Sequence, residues 1–500
     1  MMNATDFLLA SSADRAARAA FLWRERVVTY SALEAETARA AHALVSFGLR
    51  PGERVLFLLK DTPTLVSAYL GAMKIGAVAV ALNPRLTLED LAYVVADSAC
   101  PLILCDQDSH AVAEAAVTAA RGTVRIVLAG EADAAFEAAM ASQSAHHESA
   151  PTSAGDMAFW VYTSGTTGRL KAAIHRHRDV VTSDLYPREI LGVAPGDILY
   201  ATSKLFFAYA LGTILFGTLR LSATAVLNDM PSDPTTVAAV MARHKPTIVF
   251  SVPTLYRGLL AAGVADGRAF RGVRHYVSAG ERLSAALYQQ WLTRTGVSIL
   301  DGMGASETIY MLLTNGAGRI CPGASGIPAP GAEVKLADAA GNPVAAGEPG
   351  ILWARVESCA VRYWNQPEAS SRAFRDGWFA TGDLYRVDQD GFWHHEGRAD
   401  DLLKVAGQWV SPTEVEEVAL SVPGVRDAAL VGRADESGLM RTTLYVVLSA
   451  DAARVTDTLR AVLSERLMPH KVPRGIKAVD TVPRTATGKL QRYKLREAAA

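Results

Sequence analysis

Cysteine is scarce in this chain. Its 500 residues hold four, Cys100, Cys105, Cys321 and Cys359, and none form C-x-x-C. That excludes a disulfide scaffold and leaves no structural-metal signature. An excess of either charge is missing too: 50 basic residues stand against 51 acidic ones, a formal charge of −1. Such a balance offers no footprint for nucleic acid or an anionic membrane. The longest uncharged apolar run, Leu205 to Leu219, is 15 residues. It is short for a bilayer span and suits a buried core. Met1 to Phe21 lacks the basic start and apolar run of a secretory leader. A cytoplasmic protein is expected, either monomer or homodimer, and at this size an enzyme. What the chain has in quantity is apolar: 50% of residues are hydrophobic and 20% charged. That suffices for a large core and excludes disorder. At about 150 residues per domain, about three folding units are expected.

The first hundred residues alternate short apolar strands with helices. Ser31-Ala-Leu-Glu34 reads as a capping box opening a helix that runs to Gly48. Strands are expected at Val55 to Leu59, Val78 to Ala81 and Leu102 to Cys105, and helices at Thr64 to Ile75 and Thr87 to Asp97. This pattern indicates a mainly parallel sheet with helices on its faces. It returns after Asp156 and passes Ser251, with 130–155 as a surface excursion before the strand Met157 to Tyr162. From Gly323 to Trp353, proline, glycine and alternating residues favour antiparallel strands. Beyond Asp401 lie a second capping box, Ser411-Pro-Thr-Glu414, strands at Ala428 to Val431 and Leu444 to Leu448, and a helix around Val455 to Leu467.

The strand Phe159-Trp-Val-Tyr162 enters Thr163-Ser-Gly-Thr-Thr-Gly-Arg-Leu-Lys171. Two glycines let backbone N–H groups approach an anion, hydroxyls add donors, and a lysine follows. The spacing is not that of a P-loop, which needs G-x-x-x-x-G-K followed by Ser or Thr. Alone, the segment also fits a solvated turn between strand and helix. It resembles, however, the signature loop of the acyl-adenylate-forming superfamily of acyl-CoA synthetases, adenylation domains and luciferases. Further motifs follow in that superfamily's order: Ser278-Ala-Gly-Glu281, Asp301-Gly-Met-Gly-Ala-Ser-Glu307, Thr381-Gly-Asp383, Gly397-Arg-Ala-Asp-Asp401 and Pro483-Arg-Thr-Ala-Thr-Gly-Lys489. The likeness runs from about residue 20 to 497. It departs from the usual pattern at Leu170-Lys-Ala172, where Pro-Lys-Gly is common. It departs again at Met303, where an aromatic is common, and at Ser306, where threonine is. A thioether can still cover a ring face, and serine keeps the hydroxyl.

The resemblance implies an α/β fold. A large N-terminal domain (1–399) of mainly parallel α/β sheets would carry a small β-barrel-like part. A small mobile α+β C-terminal domain (401–500) would turn about a hinge at Asp400. It implies ATP and Mg²⁺, with Thr163, Ser164, Gly165, Thr166, Thr167, Gly168 and Lys171 around phosphate. Gly280, Glu281, Asp301, Gly302, Met303, Gly304 and Ser306 would surround AMP, with Asp301 meeting the adenine amine. Asp383 would accept the ribose hydroxyls and Arg398 reach ribose or phosphate. Glu307 would offer Mg²⁺ a hard oxygen, and Lys489 the catalytic cation. Gly407, Gln408 and Trp409 would line a coenzyme A tunnel. Each of these also has a plain structural reading: a surface lysine, a helix-start glutamate, a turn aspartate, a packing tryptophan. His175, His177, His394 and His395 lack Cys or Asp partners at ligand spacing.

Lys204-Leu-Phe-Phe-Ala-Tyr-Ala-Leu-Gly212 is aromatic with small residues between. With Val252-Pro-Thr-Leu-Tyr256 and Lys404-Val-Ala-Gly-Gln-Trp-Val-Ser-Pro412, it is similar to the benzoate-CoA ligase branch. That implies an aromatic carboxylic acid bound by Phe207, Ala208, Tyr209, Gly304 and Tyr310. Tyr310 stands where that branch commonly has histidine; a phenol can serve a ring hydroxyl or amino group. Benzoate, anthranilate and hydroxybenzoates are thus the expected acids. The sequence ends eleven residues after Lys489, which favours free coenzyme A as acceptor. A stand-alone enzyme loading a separate carrier protein, or a non-catalytic nucleotide-binding protein, are the alternatives.

Overall fold

A computed structural model describes residues 1–10, 13–164, 169–316, 318–345, 347–405, 408–434, 440–449, 452–484 and 490–497, with backbone alone at 13, 164, 409, 434, 452, 453, 493 and 497. The chain forms two compact units. One comprises Met1–Val334 with Ala354–Ala380, the other Lys335–Trp353 with Thr381–Ala500. Asp400 therefore lies inside the second unit, in the short turn Ala399–Asp401.

Two sheets organise the first unit. A six-stranded sheet runs in the order Arg125–Leu128, Leu102–Cys105, Arg54–Leu58, Val78–Ala81, Met157–Ser164, Leu170–Arg176. All its pairs are parallel except the last, which is antiparallel. Its central strands are buried along their length, as expected where helices cover both faces. A nine-stranded sheet has a parallel centre, with Ile299–Ala305, His275–Ser278, Ile248–Ser251, Ile198–Ala201, Thr224–Leu227 and Ala19–Trp23 in sequence. Antiparallel strands close both edges: Tyr310–Thr314 and then Ile327–Pro328 at one, Arg26–Thr29 at the other.

The expected strands at Val78–Ala81 and Leu102–Cys105 are present with those limits. Three local expectations are corrected. The helix Tyr30–Ser46 is capped by Thr29, whose hydroxyl takes the Ala32 N–H, and not by Ser31. The proximity of two candidate caps hid the true start. At Ser411 the cap position is right, with Pro412 following, but the Ser411 hydroxyl donates to Glu396 O at 2.6 Å. Glu414 meanwhile binds the Lys471 ammonium at 2.8 Å, so the capping box does not form. Finally, the Gly/Thr loop does not lead from strand to helix. Its flanks are antiparallel strands, with Thr163 opposite Lys171 and Ser164 opposite Leu170. The 130–155 excursion is mostly exposed, yet its helix Ala135–Ala141 buries Phe136 and Met140.

Close helix contact supports the first sheet. Helix Pro63–Lys74 crosses Tyr30–Ser46 at Gly71, where a Cβ would lie 2.9 Å from Ala41 N and 3.2 Å from Thr37 O. Leu205–Leu219 is core, as its composition indicates: Ala208–Ala210 leads into one wide π-turn stretch, Leu211–Gly217, all of it buried. Among the described residues no helix is long and apolar enough to cross a membrane.

The second unit contains the hairpin Leu403–Val405 with Gln408–Val410 and a three-stranded sheet of Val425–Ala434, Met440–Leu448 and Gly475–Ala478. Helices Pro412–Leu420 and Ala452–Arg466 supply an apolar core around Val415, Ala419, Leu459 and Leu463. Arg492 ties its last helix down. One nitrogen donates to Asp401 at 2.7 Å, and the other to both Glu416 oxygens at 2.8 Å. Burial raises the Glu416 carboxyl above the usual range, with Arg492 and the Leu430 N–H pulling against it.

Two stability outcomes are expected. Gly71→Val forces the two helices apart and costs about 1–3 kcal/mol, read as a lower Tm in calorimetry. Arg492→Ala leaves Glu416 buried without its cation and costs about 3 kcal/mol in denaturant unfolding.

Candidate functional site

Glu307 follows the strand Ile299–Ala305 and is nearly buried. The Tyr363 hydroxyl donates to its Oε1 at 2.6 Å. Tyr363 reaches it because its backbone bridges Ala173 on the strand that carries Lys171, and the Lys171 ammonium lies 5.3 Å above the Tyr363 ring. The two sequence-predicted charges, 136 positions apart, thus share one aromatic side chain. His175, on the same strand, stacks on Phe159 at 4.8 Å and donates from Nε2 to Ser306 O at 2.9 Å. It holds the backbone beside Glu307. His177 accepts the Ala4 N–H at 2.9 Å through Nδ1. Of the loop itself, Gly165, Thr166, Thr167 and Gly168 lie outside the described residues, as does the Ser164 side chain.

The strand Ile299–Ala305 packs against Tyr310–Thr314 with no room for side chains at two points. A Cβ on Gly302 would meet Leu313 O at 2.7 Å, and one on Gly304 would meet Tyr310 O at 2.7 Å. The ladder shifts register between Met303 and Gly304. Asp301 is buried at the strand's start, and its Oδ1 has no hydrogen-bond partner of good geometry; neither has the neighbouring Ser278 hydroxyl. Burial pushes the Asp301 carboxyl up to about 8, against the pull of Ser278, the Leu283 and Gly302 N–H groups and Arg282. Gly280 adopts φ +86 beside it. Glu281 is spent locally, its Oε2 accepting from the Thr254 N–H at 3.1 Å and hydroxyl at 2.6 Å at the start of helix Pro253–Ala261.

The aromatic segment begins at Lys204. Asp61 accepts the Leu205 N–H at 3.1 Å, and the Lys204 ammonium donates to Asn228 O at 2.5 Å and Met230 O at 2.6 Å. Burial raises the Asp61 carboxyl to about 6 and lowers the Lys204 ammonium, each tempered by the other's charge. Phe206 and Phe207 pack at 4.4 Å, and Tyr209 meets Phe250 edge-on at 5.9 Å. Ala208 is buried. Tyr310 is buried as well, and its hydroxyl donates to Pro330 O at 2.8 Å.

In the second unit Asp383 and Arg398 face each other across antiparallel strands. Arg398 donates to Asp383 Oδ1 at 3.1 Å and to Thr381 O at 2.9 Å. Gly382, at φ +76, leaves room for that guanidinium, since a Cβ there would lie 2.9 Å from its Nη2. Burial works to raise the Asp383 carboxyl, but His395, 3.5 Å away, and Arg398 outweigh it and hold it below the usual range. His394 pairs with Asp388 at 2.7 Å. Gln408 is exposed at the tip of its hairpin; Lys489, Gly407 and the Trp409 side chain lie outside the described residues.

Tyr363 and Asp61 are partners that sequence reading passed over, and His395, weighed there only as a metal ligand, pairs instead with Asp383. Each lies far along the chain from, or out of motif with, the residue it serves, so no local spacing could reveal it. Only Lys204, as first residue of the aromatic motif, carried a signal.

Residues 9–364 match the profile of the AMP-binding enzyme family, and residues 414–489 that of the AMP-binding enzyme C-terminal domain. A 3-hydroxybenzoate–CoA ligase of Aromatoleum sp. (strain CIB) is 44% identical, the match covering 99% of this chain and 97% of that protein. The solved benzoate CoA ligase from Burkholderia xenovorans LB400 superposes with a TM-score of 0.92 at 35% identity, over 99% of this chain and 100% of that one. An anthranilate CoA ligase in complex with anthranoyl-AMP does so with a TM-score of 0.92 at 34% identity, over 99% and 97%. With one profile spanning residues 9–364 and the other 414–489, the chain belongs to the AMP-binding enzyme family.

Proposed function

We propose that this protein is an AMP-forming aryl-CoA ligase. It joins a benzoate-type aromatic carboxylate to AMP from ATP, releasing pyrophosphate, and passes the aryl group to the thiol of coenzyme A. The observation that carries this reading is its full-length likeness to a 3-hydroxybenzoate–CoA ligase.

The chemistry explains the residue set. A carboxylate is a poor electrophile. Attack of its oxygen on the α-phosphorus of ATP breaks the bond to pyrophosphate and leaves a mixed anhydride. The thiol sulfur then attacks the carbonyl carbon, AMP departs, and the thiol proton is lost. The first step gathers negative charge, which fixed cations stabilise. Lys489 is the cation assigned to that step, and Lys171 a second charge near the phosphates. Asp383, kept ionised by His395 and Arg398, suits the ribose hydroxyls as an acceptor. Asp301, kept largely neutral near pH 7 by burial, suits the adenine edge, where it can donate as well as accept. The Gly280 and Glu281 backbone and the flat surface of Gly302, Met303 and Gly304 complete the AMP contacts.

Glu307 fits Mg²⁺. Its carboxylate is nearly buried and only Oε1 takes the Tyr363 hydroxyl, which leaves a hard oxygen for the ion. When bound, the ion neutralises charge on the departing pyrophosphate. Tyr363 orients the carboxylate. Phe207, Ala208, Tyr209, Gly304 and Tyr310 form the aryl side. Asp400 serves as the hinge about which the C-terminal residues turn between the two half-reactions, and Gly407, Gln408 and Trp409 then meet coenzyme A.

Pyrophosphate release across a panel of acids, with and without coenzyme A, tests the reading. Benzoate, anthranilate and hydroxybenzoates should lead by kcat/KM, with aryl-CoA as product. A strong preference for a long-chain fatty acid overturns it, as does loading of a carrier protein without coenzyme A turnover. Lys489→Ala should lower ATP–pyrophosphate exchange by roughly 10²-fold or more, by analogy with losing one oxyanion donor. It should largely spare thiolysis of a supplied aryl-adenylate. Unchanged exchange removes Lys489 from the mechanism.

A further inference from the structure

Resting on the aryl-CoA ligase reading, we propose that Tyr186 is a specificity-determining residue whose phenol hydroxyl recognises a hydroxyl group on the aromatic ring of the acid.

Tyr186 lies on the short helix Leu185–Glu189 and is fully buried, yet among the described residues its hydroxyl has no hydrogen-bond partner of good geometry. The Thr314 hydroxyl lies near but donates its own proton to Asn315 O at 2.7 Å, and its approach to Tyr186 falls short of a hydrogen bond. The Tyr209 hydroxyl is buried and unpartnered in the same way. An orphaned phenol in a protein interior costs free energy of about 1–3 kcal/mol, so each calls for a ligand or another stated cause.

The backbone brings the segments that carry these two residues together. The π-turn segment that follows Tyr209 is wedged between two other pieces of chain. At Gly212 a Cβ would lie 2.8 Å from Ile309 O; at Gly217 it would lie 3.0 Å from Ser183 O and 3.2 Å from Pro187 Cγ. The aromatic segment therefore touches the residue before Tyr310 at one glycine and the stretch containing Tyr186 at the other. Widened turns of this kind occur often at functional sites. Burial is the main cause that raises both phenols; Tyr256, Tyr186 and Asp301 add to it at Tyr209, and Asp301 adds to it at Tyr186 against a pull from Thr314.

Tyr310 is excluded from this role by its own bonding. Its proton goes to Pro330 O, and the Tyr186 N–H approaches its oxygen. It braces the helix that carries Tyr186 rather than reading the ring. The Tyr186 hydroxyl keeps both its donor and its acceptor capacity, which matches a phenolic substituent. A site that hydrogen-bonds a substrate hydroxyl discriminates strongly against the analogue lacking it.

The test compares wild type with Tyr186→Phe on benzoate and the three hydroxybenzoate isomers, by kcat/KM for aryl-CoA formation. Wild type should prefer one hydroxybenzoate over benzoate. In Tyr186→Phe, kcat/KM for that isomer should fall about tenfold or more, while the value for benzoate stays within about twofold. The Tm of the ligand-free variant should stay level or rise, since no bond is lost. Equal losses on all acids, no loss, or a lowered Tm overturns the assignment and leaves the ligase reading standing. So does a wild-type preference for benzoate. Absence of aryl-CoA formation from every acid by folded wild type overturns both.

Discussion

Backbone approaching backbone with no side chain between is the constraint on which this site depends. At Gly302 and Gly304 the strand leading to Glu307 lies flush against its neighbour. At Gly212 and Gly217 the aromatic segment is pressed against Ile309 and Ser183. Side chains there would separate the pieces by ångströms, and a misplacement of that size in a reacting geometry costs orders of magnitude in rate. Glycine is entropically expensive in such positions. The buried sheet strands and the apolar clusters around them stabilise the fold enough to carry that cost.

Burial does opposite things to the carboxyls it encloses, depending on their company. Asp301 has no close cation strong enough to offset desolvation and is held nearly neutral. Asp383 has His395 and Arg398 and stays ionised. Glu416 is raised even beside Arg492. Neutral and charged carboxyls have different hydrogen-bonding capacities: the first can donate, the second only accepts. One residue type thus presents two distinct hydrogen-bonding characters.

The alternating strands and helices of the first hundred residues were legible because fully buried parallel strands leave short uniform apolar runs, as at Val78–Ala81 and Leu102–Cys105. The family was legible because several motifs stand in one order along the chain, whereas the role of each motif residue came only from that resemblance. The caps were not. Thr29 and Ser31 both qualify locally, and only the path of the preceding strand decides between them. The turn after Tyr162 joins two antiparallel strands, so the plain alternative of a turn from strand to helix does not hold. What no local pattern carried were the supporting partners. Tyr363 reaches Glu307 through a bridge to Ala173, and His395 reaches Asp383 across a strand pair. Tertiary pairing alone brings these together.

The wide turn at Leu211–Gly217 has a consequence for how such a protein can change over time. Pinned at two glycines against separate stretches of chain, it cannot slide along its axis or rotate without breaking both contacts. That segment of the chain is thereby stationary, and under the proposed reading so is the frame around the ring of the acid. New preferences must come from exchanging the tips of side chains that project from it, one polar atom gained or lost at a time. A scaffold of that kind lends itself to a lineage of enzymes that differ in which close chemical cousin they accept while sharing everything else.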